Sequence, residues 1–189
     1  MGIAWKLVVA GLLLAVVGSA TGRAAQKAAS AEEVLAAAEA QAQQQHKLVF
    51  FTFSASWCGP CHELERFLAA PEIAPIVGKY FVLAKVHIDE EHGKHPELNT
   101  PGSKELRKKL GGSEGVPFFV FMDAQGQAIA TSDRPVEGKT RGENIGYPDA
   151  PEEIAWFMAM LRKSVPEMTE EEAQRIAGWL KGASTYGKK

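Results

Sequence analysis

The chain has 189 residues and a formal net charge of −2 at pH 7, with 46% apolar and 23% charged residues. This length is sufficient for one domain with a hydrophobic core. The nearly balanced charge gives no indication of a basic surface, so we expect no nucleic-acid partner. We expect the folded chain to be a monomer.

The N-terminal residues have the layout of a secretory signal peptide, which we place at residues 1–24. Lys6 provides a positive start, residues 7–17 form an apolar run, and small residues follow over 18–24. The run is shorter than the roughly 20 residues that span a bilayer. Export would place the remaining chain in an oxidising compartment, periplasmic or extracellular. The alternative is that the segment stays uncleaved and tethers the protein to a membrane.

Hydrophobic periodicity distinguishes the strands from the helices. Short apolar runs such as residues 48–53 predict strands buried on both faces. Ser30 and Thr169 each have a glutamate three residues later, which is typical of a helix start. In chain order the patterns predict a helix over 30–45, a strand over 48–53, a helix after the cysteine pair that Pro71 and Pro75 break or kink, a strand over 80–88, a helix over 103–110 capped by Ser103, a strand over 116–122, a strand over 127–131, and helices over 151–163 and 169–182.

The alternation of strands and helices predicts an α/β fold with a mixed sheet and helices on both faces. Crossover helices favour parallel strands, and the hairpin strand over 127–131 adds an antiparallel strand at one side. We expect a single domain over 25–189, with its core at about 46–163. Extra helices then lie at the N-terminal end and in a C-terminal helical extension over 164–189.

Cys58 and Cys61 are the only cysteines in the chain. A disulfide between them closes almost no loop and would stabilise the fold little, so its chemistry better explains the pair. At a helix N-terminus the free N–H groups and the helix dipole lower a thiol pKa. We hypothesise that Cys58 attacks a client disulfide and that Cys61 resolves the mixed disulfide. This chemistry requires no cofactor and no metal ion beyond the redox-active disulfide itself.

The cysteine motif resembles the active site of the thioredoxin superfamily. The residues that carry this resemblance are Trp57, Cys58, Gly59, Pro60 and Cys61. Val116-Pro117 falls where the family has its cis-proline, and Lys85 falls on the strand where the family has a lysine near the redox site. The resemblance covers about residues 48–131 and the helix near 150–163. It implies a thioredoxin-like protein-disulfide oxidoreductase whose substrate pairs with the backbone of Val116 beside Pro117.

One position departs from the family pattern. The family has a buried aspartate six residues before the first cysteine, and this chain has Thr52 there. A hydroxyl group is not a base near neutral pH. Glu63, Glu65 or a water molecule must then assist Cys61, and Lys85 loses its usual partner.

The Gly-Pro pair between the cysteines resembles that of reductive family members. The resemblance therefore implies reduction of disulfides in exported client proteins, although the sequence leaves oxidation of client dithiols open. A reductant outside the cytoplasm requires an electron source, and we expect a membrane electron donor as a possible partner.

Three other interpretations stay open. Cys58, Cys61 and His62 match the signature of c-type haem attachment, in which case Met122, Met158, Met160 or Met168 would supply the second axial ligand. The polar loop over 89–102 and its surroundings contain His87, His92 and His95, although their spacing is not a specific metal-binding pattern. A non-catalytic protein of the same fold would bind partners through the loops over 89–102 and 133–149 or the terminal helix.

Overall fold

Six α-helices and six strands form the part of the chain that the computed structural model describes, residues 28–187. The predicted signal peptide lies outside these residues. The elements are α1 (Ala31–Gln45), β1 (Leu48–Ser54), α2 (Gly59–Ala69), α3 (Ala74–Tyr80), β2 (Phe81–His87), α4 (Ser103–Lys109), β3 (Phe118–Met122), β4 (Ala128–Thr131), β5 (Asp133–Arg134), β6 (Glu143–Asn144), α5 (Pro151–Ser164) and α6 (Glu170–Ala183). None of the described helices combines the length and the apolar character needed to cross a bilayer.

The main sheet has the strand order β2-β1-β3-β4 and is mixed, as predicted. β2 is parallel to β1, whereas β3 is antiparallel to both β1 and β4. The direction of β3 departs from the expected parallel crossover. Both ends of the segment before β3 lie at the cysteine end of the sheet, because the Thr100 N–H donates to the His87 carbonyl (2.9 Å) and the Val116 carbonyl oxygen lies 3.4 Å from Cys58 Sγ. β3 must therefore start at that end.

Helices cover both faces of the sheet, which confirms the predicted α/β architecture. Successive side chains of a strand point to opposite faces. Phe50 of β1 packs towards α2, α3, α5 and α6, while Phe51 and Phe53 pack towards α1 and α4. All three phenylalanines are buried, so the apolar run of β1 is buried on both faces as predicted.

The C-terminal helix α6 is an integral part of the core. Ile176 and Leu180 have no exposed surface, and the Trp179 ring lies 5.2 Å from that of Phe67 on α2. Burying one such aliphatic side chain contributes about 1.5–3 kcal/mol. α6 therefore stabilises the helix that carries the cysteines.

Sequence reasoning missed helix α3 and misplaced several boundaries. Pro75 does not merely break the preceding helix but lies in the first turn of α3, where its missing N–H is not needed. Tyr80 ends this helix, so β2 starts one residue later than predicted. Ser103 lies inside α4, and the N-cap is Gly102, whose φ of 77° suits glycine.

The two predicted loops contain regular structure. The segment over 89–102 forms short 3-10 helices at Glu90–Gly93 and Pro96–Leu98. The segment over 133–149 contains the antiparallel pair of β5 and β6. Residues 116 and 117 precede β3 rather than belonging to it, since proline has no N–H for the sheet.

Candidate functional site

Cys58 and Cys61 form a disulfide at the N-terminus of α2, with their Cα atoms 5.2 Å apart. Cys58 is the N-cap residue, and its Sγ accepts the Cys61 N–H at 3.1 Å. The same sulfur would receive this hydrogen bond as a thiolate after reduction. Because the helix dipole also favours an anion there, the geometry suits Cys58 as the attacking thiolate.

The turn before α2 places the pair at the end of the sheet. β1 ends at Ser54, and the Cys58 N–H then donates to the Ala55 carbonyl at 3.1 Å. Pro60 lies in the first turn of α2, where the missing N–H costs nothing. Cys58 and Cys61 are only 2% and 1% exposed in this oxidised form, so little of either residue is open to an attacking group.

The segment before β3 faces the disulfide. The Val116 carbonyl oxygen lies 3.4 Å from Cys58 Sγ, and the Val116–Pro117 peptide bond is cis. Asn144 of β6 donates from its side-chain amide to the Pro117 carbonyl at 3.0 Å. The loop over 133–149 thus holds the segment that faces the cysteines, a role that the sequence did not indicate.

Trp57 is anchored by the other loop, over 89–102. Its indole N–H donates to the Asp89 carbonyl at 2.8 Å, and its ring meets that of His92 edge to face, with centroids 5.3 Å apart. The Asp89 carboxylate in turn accepts a hydrogen bond from Arg107 of α4 at 3.1 Å. The indole stays 43% exposed beside the disulfide, where it can contact a client.

A buried carboxylate holds the backbone just before the cysteines. Glu90 has no exposed surface, and it accepts hydrogen bonds from the Ser56 N–H (2.8 Å), the Ser56 hydroxyl (2.6 Å) and His87 Nδ1 (2.6 Å). Burial alone raises the pKa of Glu90, but the hydrogen bonds from Ser56 and His87 outweigh it and hold the pKa below its usual value. Sequence reasoning missed Glu90, because a glutamate in a polar loop ordinarily lies in solvent.

The histidines considered as metal ligands have other partners. His87 binds Glu90, and His95 lies 3.1 Å from the Glu97 carboxylate. Across residues 28–187, no group of three His, Cys, Asp or Glu side chains is placed to hold a metal ion. His62 Nε2 lies 2.9 Å from the Ser56 carbonyl oxygen.

A cavity of about 440 Å³ lies behind Cys61. Thr52 and Lys85, which are paired in the register of β1 and β2, both line it. Lys85 Nζ lies 2.7 Å from Glu65 Oε1, so this lysine has a carboxylate partner on α2 although Thr52 stands where the aspartate was expected. Glu63 does not line the cavity and pairs instead with Arg66 on the surface of α2.

The residues of the haem signature have other partners in this structure. The sulfurs of Cys58 and Cys61 are bonded to each other, and His62 binds the backbone. Met122, Met158 and Met160 are buried in the two cores, which are packed with aromatic and aliphatic side chains.

The chain is similar to known proteins in sequence and in structure. The thiol:disulfide interchange protein DsbD of Photorhabdus laumondii is 31% identical over 91 residues, which cover 48% of this chain and 14% of that protein. The chain therefore spans about one seventh of that relative's length. A disulphide isomerase from Xylella fastidiosa Temecula1 is similar in structure with a TM-score of 0.42 and 16% identity, covering 77% of this chain and 85% of the other. A thioredoxin from Thermus thermophilus has a TM-score of 0.40 and 21% identity, covering 74% of this chain and 90% of the other.

The family comparison covers the cysteines and the strands that position them. The family model described as "Thioredoxin-like domain" matches residues 35–133. These residues include the disulfide, the cavity behind Cys61 and the cis peptide bond. The match extends over more than half of the chain. The chain belongs to the thioredoxin-like domain family.

Proposed function

We propose that the protein is a thiol–disulfide oxidoreductase that reduces disulfides in exported client proteins. The observation that carries this proposal is the Cys58–Cys61 disulfide at the N-terminus of α2, with Cys58 facing the Val116 carbonyl. The name of the relative from Photorhabdus, a thiol:disulfide interchange protein, supports the same chemistry. The signal-peptide pattern supports a periplasmic or extracellular location.

The exchange proceeds in two balanced steps. The Cys58 thiolate attacks one sulfur of the client disulfide, forming a mixed disulfide and releasing a client thiolate. The Cys61 thiolate then attacks Cys58 Sγ, which restores the Cys58–Cys61 disulfide and releases the second client thiolate. Two electrons pass to the client, and the client thiolates take up two protons. A reduced dithiol protein, which we expect to be a membrane electron donor, must regenerate the pair.

Glu65 is the group that we assign to remove the proton of Cys61. Both residues line the same cavity, which Thr52 and Ser54 also line. The Glu65 carboxylate is 42% exposed and paired with Lys85, so solvent can reach it. A water molecule in the cavity would connect Glu65 to the thiol.

The proposed activity is tested by insulin reduction with dithiothreitol as the electron donor. The wild-type chain should accelerate the precipitation of insulin chains, and Cys58→Ser should abolish the acceleration. A variant that keeps full activity would overturn the redox mechanism and favour a non-catalytic binding protein. Cys61→Ser should accumulate a mixed disulfide with its client, detectable by intact-mass measurement.

The direction of electron flow requires a separate measurement. Equilibration of the pair against glutathione redox buffers gives its reduction potential. We expect a potential near that of reductive thioredoxins, about −270 mV. A potential near that of strong oxidants, about −120 mV, would reverse the proposed direction.

A further inference from the structure

An open groove of about 880 Å³ lies beside Pro60 and Val116 and runs along the loop over 133–149. Pro60 and Val116, which flank Cys58, line its near end. The groove adjoins the reacting sulfur, because Val116 lines it and the Val116 carbonyl oxygen lies 3.4 Å from Cys58 Sγ. A client segment next to the attacked cysteine would therefore enter this groove.

The groove is strongly acidic. Five carboxylates line it and, among the residues that the structure describes, its lining includes no Lys, Arg or His. The five are Glu114, Glu143, Asp149, Glu152 and Glu153. We call this feature the acidic groove.

The carboxylates of the acidic groove differ in their partners. Glu143 pairs with Lys139 and Arg134, Asp149 accepts hydrogen bonds from Thr185, and Glu153 accepts the N–H groups that begin α5. Glu114 and Glu152 are exposed and form no ion pair or hydrogen bond with the described residues. These two charges are therefore available to a bound cation.

A second, independent feature of the groove wall is an unpartnered hydroxyl group. Tyr147 lines the acidic groove and is only 9% exposed, and its hydroxyl has no hydrogen-bond partner among residues 28–187. Burial and the Asp149 carboxylate raise the pKa of Tyr147, so the hydroxyl stays protonated. A buried donor without a partner is costly, and a peptide carbonyl would satisfy it once the Tyr147 side chain turns towards the groove.

We propose that the acidic groove binds the segment of the client that flanks its cysteine, and that it selects segments rich in Lys and Arg. The loop over 133–149 performs two tasks in this proposal. Asn144 holds the Pro117 carbonyl, which positions the segment facing Cys58, and neighbouring residues of the loop supply the wall of the groove. This inference rests on the proposed disulfide exchange and adds its substrate class.

Peptide disulfides of opposite charge test the proposal. The pre-reduced full chain is mixed with a disulfide-linked peptide homodimer in which four lysines flank the cysteine, or with the same peptide carrying four glutamates. The second-order rate constant should be about threefold to tenfold higher for the lysine peptide at low salt, as one or two exposed ion pairs provide. The preference should vanish at 1 M NaCl, where the Debye length is about 3 Å.

A pair of charge-matched variants locates the preference. Glu114→Gln/Glu152→Gln should reduce the ratio of the two rate constants by more than half. Glu105→Gln/Glu137→Gln makes the same change in net charge at exposed positions outside the groove and should leave the ratio unchanged. An equal loss in both variants, or no preference in the wild-type chain, would overturn the proposal. Reduction of bis(2-hydroxyethyl) disulfide by the wild-type chain but not by Cys58→Ser shows separately whether disulfide exchange itself holds.

Discussion

Glu90→Gln removes the charge that fixes the backbone next to Cys58. The carboxylate has no exposed surface and accepts three hydrogen bonds, two from Ser56 and one from His87. Removing one partner of a buried pair costs about 3–5 kcal/mol. The His87 side chain is 33% exposed, and water can solvate it in the variant. Since Gln also keeps one acceptor oxygen, we expect a smaller loss in the free energy of unfolding, about 2 kcal/mol at pH 7.

The lowered pKa of Glu90 also predicts how the stability loss in Glu90→Gln changes with pH. The pKa of Glu90 is lower in the folded chain than its usual value, so its ionised form stabilises the fold above the unfolded pKa of about 4.3. This contribution is lost as the pH falls through the folded pKa. The difference between the wild type and Glu90→Gln should therefore shrink below about pH 4.

Urea unfolding at pH 7 and at pH 3.5 measures both quantities, with the disulfide kept oxidised. Glu91→Gln is the matched control, because Glu91 is the next residue but is exposed, with Lys104 and Asn99 as its side-chain partners at the surface. The control should unfold at the wild-type urea concentration. A loss below about 0.5 kcal/mol for Glu90→Gln at pH 7, the range of ordinary surface substitutions, would refute the assigned role.

Three further perturbations test the site and the fold. Glu65→Gln should slow insulin reduction about tenfold or more and alter its pH profile, since it removes the proposed base. The control Glu63→Gln should keep the wild-type rate, and equal rates for the two variants would eliminate Glu65 as the base. Leu180→Ala should lower the free energy of unfolding by about 2–5 kcal/mol in urea, and a loss below about 1 kcal/mol would show that α6 is peripheral. Hydrogen bonds from Lys79, Tyr80 and Thr169 lower the pKa of Glu172 to about 2. Glu172→Gln should therefore unfold at a lower urea concentration than the wild type at pH 7, and this difference between the two proteins should disappear as the pH falls from about 4.3 towards 2. A difference that stays constant with pH would contradict the assignment.

The attacking pair could be predicted from the sequence because its determinants are local. Cys58 and Cys61 lie within one helical turn, directly after the apolar run that forms β1. Strand, turn and helix signals over about 20 residues place them at a helix N-terminus without any knowledge of the remaining chain. The capping boxes at Ser30 and Thr169 are equally local, and the helices begin there.

The surroundings of the pair depend on contacts between distant parts of the chain. Glu90 reaches Ser56 across 34 residues, and Asn144 reaches Pro117 across 27. Neither residue type indicates such a role, because Glu and Asn in polar loops are ordinarily solvated. The choice between Glu63 and Glu65 also needed the structure, since only Glu65 lines the cavity with Cys61.

The sequence by itself thus determined the redox pair, the burial of β1 on both faces and the helices that carry capping signals. The tertiary structure decided the direction of β3, the existence of α3, the burial of Glu90 and the acidic groove beside Cys58. The physical reason is the separation along the chain over which each effect acts. Capping and periodicity act within one or two helical turns. Burial and charge, in contrast, depend on which distant segments the packed core brings together.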